Sequence, residues 1–197
     1  MPDPRLPYDF TSPLRTERLV LRTMRDGDVD DIHAYQSRPD VCRYMPFEPR
    51  SREEVAAKVA KHSTAITLTG DDDYWQLAVV RADEPSRVIG DVYFTIKSTA
   101  NATGEIGWTL HPDFTGRGYM TEGAGAILGL AFERIRLHRV FATLDPRNDA
   151  SVGLCRRLGM RREAHFVEDL WFKGEWGDTA IYAILAREHG AAGSAGE

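Results

Sequence analysis

Apolar and polar positions divide this chain into a regular succession of strands and helices. Residues 18–24 (RLVLRTM) alternate with a two-residue period and are rich in Leu and Val, which predicts a strand. Asp26, Gly27 and Asp28 supply turn and cap chemistry, after which Val29, Ile32, His33 and Gln36 recur at helical spacing. Ser51 followed three residues later by Glu54 is a capping-box start, with Val55 and Val59 on one face of the helix it opens. Residues 74–80 and 88–96 read as strands parted by the ADEPS turn, and 106–110 as another. A glycine-bearing turn then leads to a helix from about 121 to 135, a strand over 139–144, and a helix over 150–158 closed by Gly159. Two strands, 166–172 and 179–185, join across KGEWGD. The order β-α-α-β-β-β-α-β-α-β-β, with antiparallel runs and helical crossovers around one parallel pair, predicts a mixed α/β fold.

Length and composition narrow this picture. At 197 residues, 42% hydrophobic and 28% charged, the chain suits one packed domain and excludes a disordered or collagen-like one. Residues 1–15 carry four prolines and residues 189–197 are small and polar, so 1–15 and 189–197 read as flexible extensions around a domain at 16–188. No apolar run reaches the ~18 residues of a membrane helix, and MPDPRLPYDFTSPLR lacks the apolar core of a secretory signal. Cys42 and Cys155 lie far apart, as expected of reduced thiols in the cytoplasm, and the six histidines form no HExxH, so no metal is expected. A net charge of −5 argues against a general nucleic-acid binder, although arginines crowd residues 134–162.

Chemistry concentrates in GEIGWTLHPDFTGRGYMTEGAGAILGLAFERIRLHRV. A strand runs into a loop holding Gly116 and Gly118, and a helix opens near Thr121. Helix-start N–H groups lack intrahelical partners and carry the positive end of the macrodipole, so this is a recipe for an anion site. A tight turn needing positive φ accounts for the glycines equally well. Gly123, Gly125 and Gly129 each cost ~1 kcal/mol relative to alanine in a helix, which points to close approach by a strand, a helix or a ligand. The spacing Gly116-x-Gly118-x-x-Thr121 lacks the third glycine of a dinucleotide fingerprint, and there is no GxxxxGK[ST].

Four ordered blocks, EIGWTLHPDFTGRGYMTE, LHRVFATLDPRNDAS, RRLGMRREAH and KGEWGDTAIYAIL, resemble the GNAT acetyltransferases, and with RTERLVLR they resemble the RimJ/RimL-type branch. The likeness spans about residues 15–187. It implies a single domain built on a mostly antiparallel sheet of about seven strands, with helices on both faces and one parallel pair splayed at the coenzyme site. It also implies acetyl-CoA as co-substrate without a metal, and an amine acceptor, either a peptide N-terminus or a small molecule. A coenzyme-binding sensor or partner-binding module of the same fold is the alternative, and monomer and homodimer are both open.

The resemblance distributes roles along the motif. Backbone N–H groups of Gly116, Arg117, Gly118, Tyr119, Met120 and Thr121 would hold the diphosphate, with Arg156 or Arg157 near a phosphate. Pantetheine would pair along Trp108, Thr109 and Leu110, with the Asn148 amide against it. Ser151 matches a serine that donates a proton to the departing thiolate, while the tyrosine other members place four residues later is Cys155 here. The loop departs from Gln/Arg-x-x-Gly-x-Gly/Ala at Thr115 and Met120, and a Cβ at 120 would project toward the diphosphate. For the base, alternation puts Glu105, Gly107 and Thr109 on one face, so Glu105 is the candidate, with Asp91 and His111 behind it and Glu122 a helix-start acid. An α-amine is already about 10–15% neutral at pH 7 and a lysine about 0.04%, so an α-amine acceptor needs only a weak base. The acceptor wall is expected from residues 40–49, the acids Asp71, Asp72 and Asp73, and the aromatics Tyr44, Phe47, Trp171 and Trp176.

Overall fold

The computed structural model describes residues 3–192, and its frame is an eight-stranded sheet. In chain order the strands are β1 (Tyr8–Asp9), β2 (Leu14–Arg15), β3 (Leu19–Thr23), β4 (Thr67–Leu68), β5 (Tyr74–Arg81), β6 (Val88–Ser98), β7 (Thr103–Leu110), β8 (Arg139–Leu144), β9 (Arg161–Phe172) and β10 (Glu175–Leu185). The main sheet runs β2-β3-β5-β6-β7-β8-β10-β9, while β1 and β4 form a separate antiparallel pair. Every neighbouring pair is antiparallel except β7–β8. The helices are α1 (Val29–Gln36), α2 (Pro39–Cys42), α3 (Arg52–Thr64), α4 (Tyr119–Gly129), α5 (Asp149–Arg157) and α6 (Ala186–Ala192).

Period-two alternation lets each face of the sheet carry its own core. On one face Leu19, Leu21, Leu77, Val79, Val92, Phe94 and Ile106 bury against Ala124, Ile127 and Leu128 of α4 and Val152 and Leu154 of α5. On the other, Val20, Ala78 and Val80 meet Ile32 and Tyr35 of α1 and Val55 and Val59 of α3. The expected capping box forms: Ser51 Oγ accepts from the Glu54 N–H, and the Glu54 carboxylate accepts from the Ser51 N–H. A buried ion pair fastens β3 to the turn before α1, with Arg22 donating from both terminal nitrogens to Asp28 at 2.7 and 2.8 Å.

Two expectations, both about the chain ends, are corrected here. The segment 1–15 is not wholly a loose extension, because its β1 pairs with β4, its β2 pairs with β3, and Phe10 is buried in the main core. Pro4, Pro7 and Pro13 lie outside β1 and β2. The sheet's eight strands agree with the expected mostly antiparallel sheet of about seven, the short β2 adding an edge. At the other end α6 continues through Ala192, so the expected tail from 189 is helical at first, and its residues 193–197 lie outside the described residues.

A Cβ at Gly123 would lie 3.6 Å from Leu19 Cδ1, one at Gly125 3.7 Å from Leu158, and one at Gly129 3.8 Å from His189. These are ordinary van der Waals distances, so among the described residues no close approach demands glycine at these three positions of α4. Large exposed apolar side chains fall on the β9–β10 hairpin: Phe166, Val167, Leu170, Trp171 and Trp176.

Candidate active site

The sheet opens where its one parallel pair ends. Ladder pairing between β7 and β8 runs Thr103↔Arg139, Gly104↔Val140, Glu105↔Phe141 and stops. Beyond that point β7 stays paired to β6 and β8 to β10, so the two strands diverge. Residues 106–110 of β7 are left with an unpaired edge, the kind of edge an extended amide-bearing chain can join as an added strand. Glu105 sits at the vertex of the V.

Below the open edge lies the glycine loop. Gly116 and Gly118 have φ of 73° and 76°, a region where a side chain would be strained. These two turns lead directly into α4, two residues before the expected start at Thr121. Among the described residues, the backbone N–H groups of residues 116–121 have no hydrogen-bond partner; the first helical bond runs from the Glu122 N–H to the Gly118 carbonyl at 3.0 Å. Six successive free donors at a helix start fit a diphosphate. A Cβ at Gly116 would meet nothing within 4 Å, so the loop faces open space. Met120 turns its side chain into the core, 4% exposed, and its Cβ therefore does not obstruct this cradle.

The loop is braced from behind. Glu122 accepts from Thr16 Oγ1 at 2.5 Å, from the Arg18 N–H at 2.8 Å and from Arg18 Nε at 2.6 Å. Burial alone would raise its pKa, but these hydrogen bonds hold the carboxyl below the ordinary value. Arg18 also donates from Nη1 to the Arg117 carbonyl at 3.0 Å and lies over the Tyr119 ring. The acid thus serves as a brace, and it lines neither of the two cavities described next.

Two cavities meet at the V. The first, about 610 Å³, is lined by Trp108, Thr109, Leu110, Gly116, Gly118, Tyr119, Met120, Thr121, Asn148, Ser151 and Arg157. The second, about 780 Å³, is lined by Glu105, Gly107, Asp91, Tyr93 and Gln76 from the sheet and by Arg50, Lys58, Lys61 and His62 from α3 and the loop before it. Tyr44, Met45, Trp108, Thr109, Asn148 and Ser151 line both. At this junction Trp108 Nε1 donates to Ser151 Oγ at 3.2 Å, leaving the serine hydrogen free to point elsewhere. Asn148 caps α5, its Oδ1 accepting from the Ser151 N–H at 3.2 Å, while its amide nitrogen has no partner among the described residues. Cys155 is fully buried, and burial pushes its thiol up to about 12, so it has no part in proton transfer near neutrality.

Other expected residues lie elsewhere. Arg156 is exposed and lines neither cavity; one position on, the 100° turn of the helix brings Arg157 to the groove, where its Nε donates to Thr121 Oγ1 at 3.1 Å. The Arg117 side chain leaves the groove and lies over Phe114. Asp71, Asp72 and Asp73 are engaged with the Thr99 N–H, Lys97 and Thr69. Tyr44 and Phe47 do line the acceptor side, whereas Trp171 and Trp176 pack edge-to-face on each other. Asp91 is buried and accepts hydrogen bonds from Tyr35, Gln36 and Gln76, with the Lys58 ammonium 3.6 Å away, so it is engaged by the protein itself.

The sequence reading missed the α3 side of the pocket: Lys58, Lys61 and His62. Burial, then the adjacent Lys58 and Lys61 charges, push the His62 imidazole down to about 4. It stays neutral in the folded protein while an unfolded histidine takes up a proton below about 6.5. Stability is therefore lost as pH falls through that window, by roughly 2 kcal/mol between pH 7 and pH 5. Urea unfolding at both pH values is expected to show this slope, and His62→Phe to remove that share of it.

A family model described as "Acetyltransferase (GNAT) domain" matches residues 18–161. The uncharacterized N-acetyltransferase YnaD of Bacillus subtilis is 33% identical over 175 residues, 89% of this chain and 98% of that protein. A crystal structure of a GNAT-family acetyltransferase from Bacillus anthracis superposes with TM-score 0.80 at 31% identity, covering 90% of this chain and 100% of that one. The fold is shared with the Vibrio cholerae spermidine N-acetyltransferase crystallised with CoA and spermine, with TM-score 0.73 and 22% identity over 88% of this chain and 99% of that one. With the splayed strands, the six free N–H groups and the paired cavities, these matches establish that the chain belongs to the GNAT family of acetyl-CoA-dependent N-acetyltransferases.

Proposed function

We propose that the chain transfers an acetyl group directly from acetyl-CoA to a primary amine, either a small molecule or, following the RimJ/RimL-type resemblance, a peptide N-terminus. The observation that carries this reading is the junction: a groove fitted to coenzyme A opens into a second cavity at Trp108 and Ser151. Residues 116–121 hold the diphosphate through backbone N–H groups, Arg157 adds a cation at the helix mouth, and the free edge of β7 pairs with pantetheine beside Asn148. Holding both reactants at the vertex supplies much of the acceleration. Glu105, which has no ion pair among the described residues, takes the amine proton. Ser151, oriented by Trp108, gives a proton to the departing thiolate. Two buried free cysteines are in keeping with a cytoplasmic setting.

Release of free thiol from acetyl-CoA that depends on an added amine tests this reading; coenzyme binding without such release would instead mean a sensor. Glu105→Gln is expected to lower kcat/KM by about a hundredfold and to remove the acidic limb of its pH profile. An unaltered profile would make Glu105 a structural carboxylate.

A further inference from the structure

The acceptor cavity is electrically lopsided. Its acids are largely neutralised: Asp145 is bound by Arg147 at 2.7 Å, and Asp91 receives Tyr35, Gln36 and Gln76 as well as the Lys58 ammonium at 3.6 Å. Glu105, at the vertex, is the acid left without an ion pair among the described residues, since the nearby Lys97 is turned to Asp72. The opposite wall is cationic. Lys61 lies over the Tyr74 ring, and Arg50 over the Phe47 ring with a hydrogen bond to Gln36; among the described residues neither has a carboxylate within 4.0 Å. His62, 7% exposed, lines the same wall, and its buried Nδ1 has no hydrogen-bond partner among the described residues.

Sheet register sets the spacing of the two poles. Glu105 pairs with Thr95, and Thr95 with Tyr74, so Lys61 over Tyr74 stands two strands away from Glu105. That is about 10 Å at the usual strand separation. A polyamine would bring a second ammonium against Lys61 and Arg50, whereas a chain with an amine at one end and an oxyanion at the other meets an opposite charge at each.

Resting on the acetyl-transfer reading for the role of Glu105, we infer that the acceptor is a compact amine whose far end carries an oxyanion, a carboxylate or phosphonate-type group held by Lys61 and Arg50. The cations act by positioning: they select and align the substrate and touch no reacting atom.

Calorimetry on the full chain saturated with CoA tests this independently of turnover. The probes are ω-amino carboxylates of three to six carbons, aminoalkylphosphonates, and the length-matched diamines and alkyl monoamines. At least one chain length is expected to bind ten-fold or more tightly as the carboxylate or the phosphonate than as the diamine, and comparison of those two arms identifies the oxyanion. Lys61→Gln, an exposed substitution, and Arg50→Gln are expected to erase that preference while leaving monoamine binding within two-fold. Diamines binding as tightly as the oxyanion series, failure of every oxyanion member to bind, or a preference that survives both substitutions overturns the inference. A parallel thiol-release assay with acetyl-CoA separates the two readings. Tight oxyanion binding without thiol release would overturn acetyl transfer and leave this inference standing, whereas release fastest with diamines would do the reverse.

Discussion

Ser151→Ala is expected to lower kcat by about 10²- to 10³-fold while changing the affinity for CoA less than two-fold. The backbone of residue 151 stays capped by Asn148 Oδ1 whatever the side chain, so α5 should start in the same place. What disappears is a hydroxyl at the meeting point of the two cavities, fixed there by the Trp108 indole. Losing that acceptor leaves the half-buried indole N–H unpaired, at a cost of about 1 kcal/mol, too little to account for a hundredfold rate loss. Rates under saturating acetyl-CoA, together with calorimetric CoA affinity, separate the two effects. Unchanged kcat would remove Ser151 from the reaction.

Asp28→Ala is expected to destabilise the protein by about 3–5 kcal/mol, because it leaves Arg22 charged and buried without its partner. The pair is bidentate and both side chains are almost fully enclosed, 6% and 4% exposed. Asp28 also accepts from the Arg25 N–H at 2.7 Å, so the same substitution loosens the turn that launches α1. Replacing Arg22 and Asp28 together by apolar residues of similar volume is expected to recover most of the loss, since no orphaned charge then remains. Denaturant unfolding of the single and double variants measures both; a single variant within 1 kcal/mol of the parent would contradict the argument.

Much of the fold, with the open edge of β7 and the glycine loop, was legible in the sequence because these rest on local rules. Alternation placed Glu105, Gly107 and Thr109 on one face, and Ser51 with Glu54 announced α3. Gly116 and Gly118 marked the loop because only glycine takes up those backbone angles without strain. The acceptor half depends instead on tertiary placement. Lys58 and Lys61 look like the solvated side of an amphipathic helix, and nothing in their spacing says that the sheet opens opposite them. Asp91 looks like a strand polar residue until Tyr35, Gln36, Gln76 and Lys58 close over it from three other elements. Arg156 and Arg157 differ by one step of helix phase, finer than a boundary read from sequence. The leading segment misled because Pro-rich composition resembles disorder, yet Phe10 reaches the core.

The grip of Thr16 and Arg18 on Glu122 has a practical consequence. Whoever shortens this polypeptide from its front, or fuses a tag close to residue 16, is tampering with the backrest of the glycine loop proposed to cradle the diphosphate. Weakened coenzyme binding in such a product would report loss of this bracing behind the loop, with the loop's own residues unchanged.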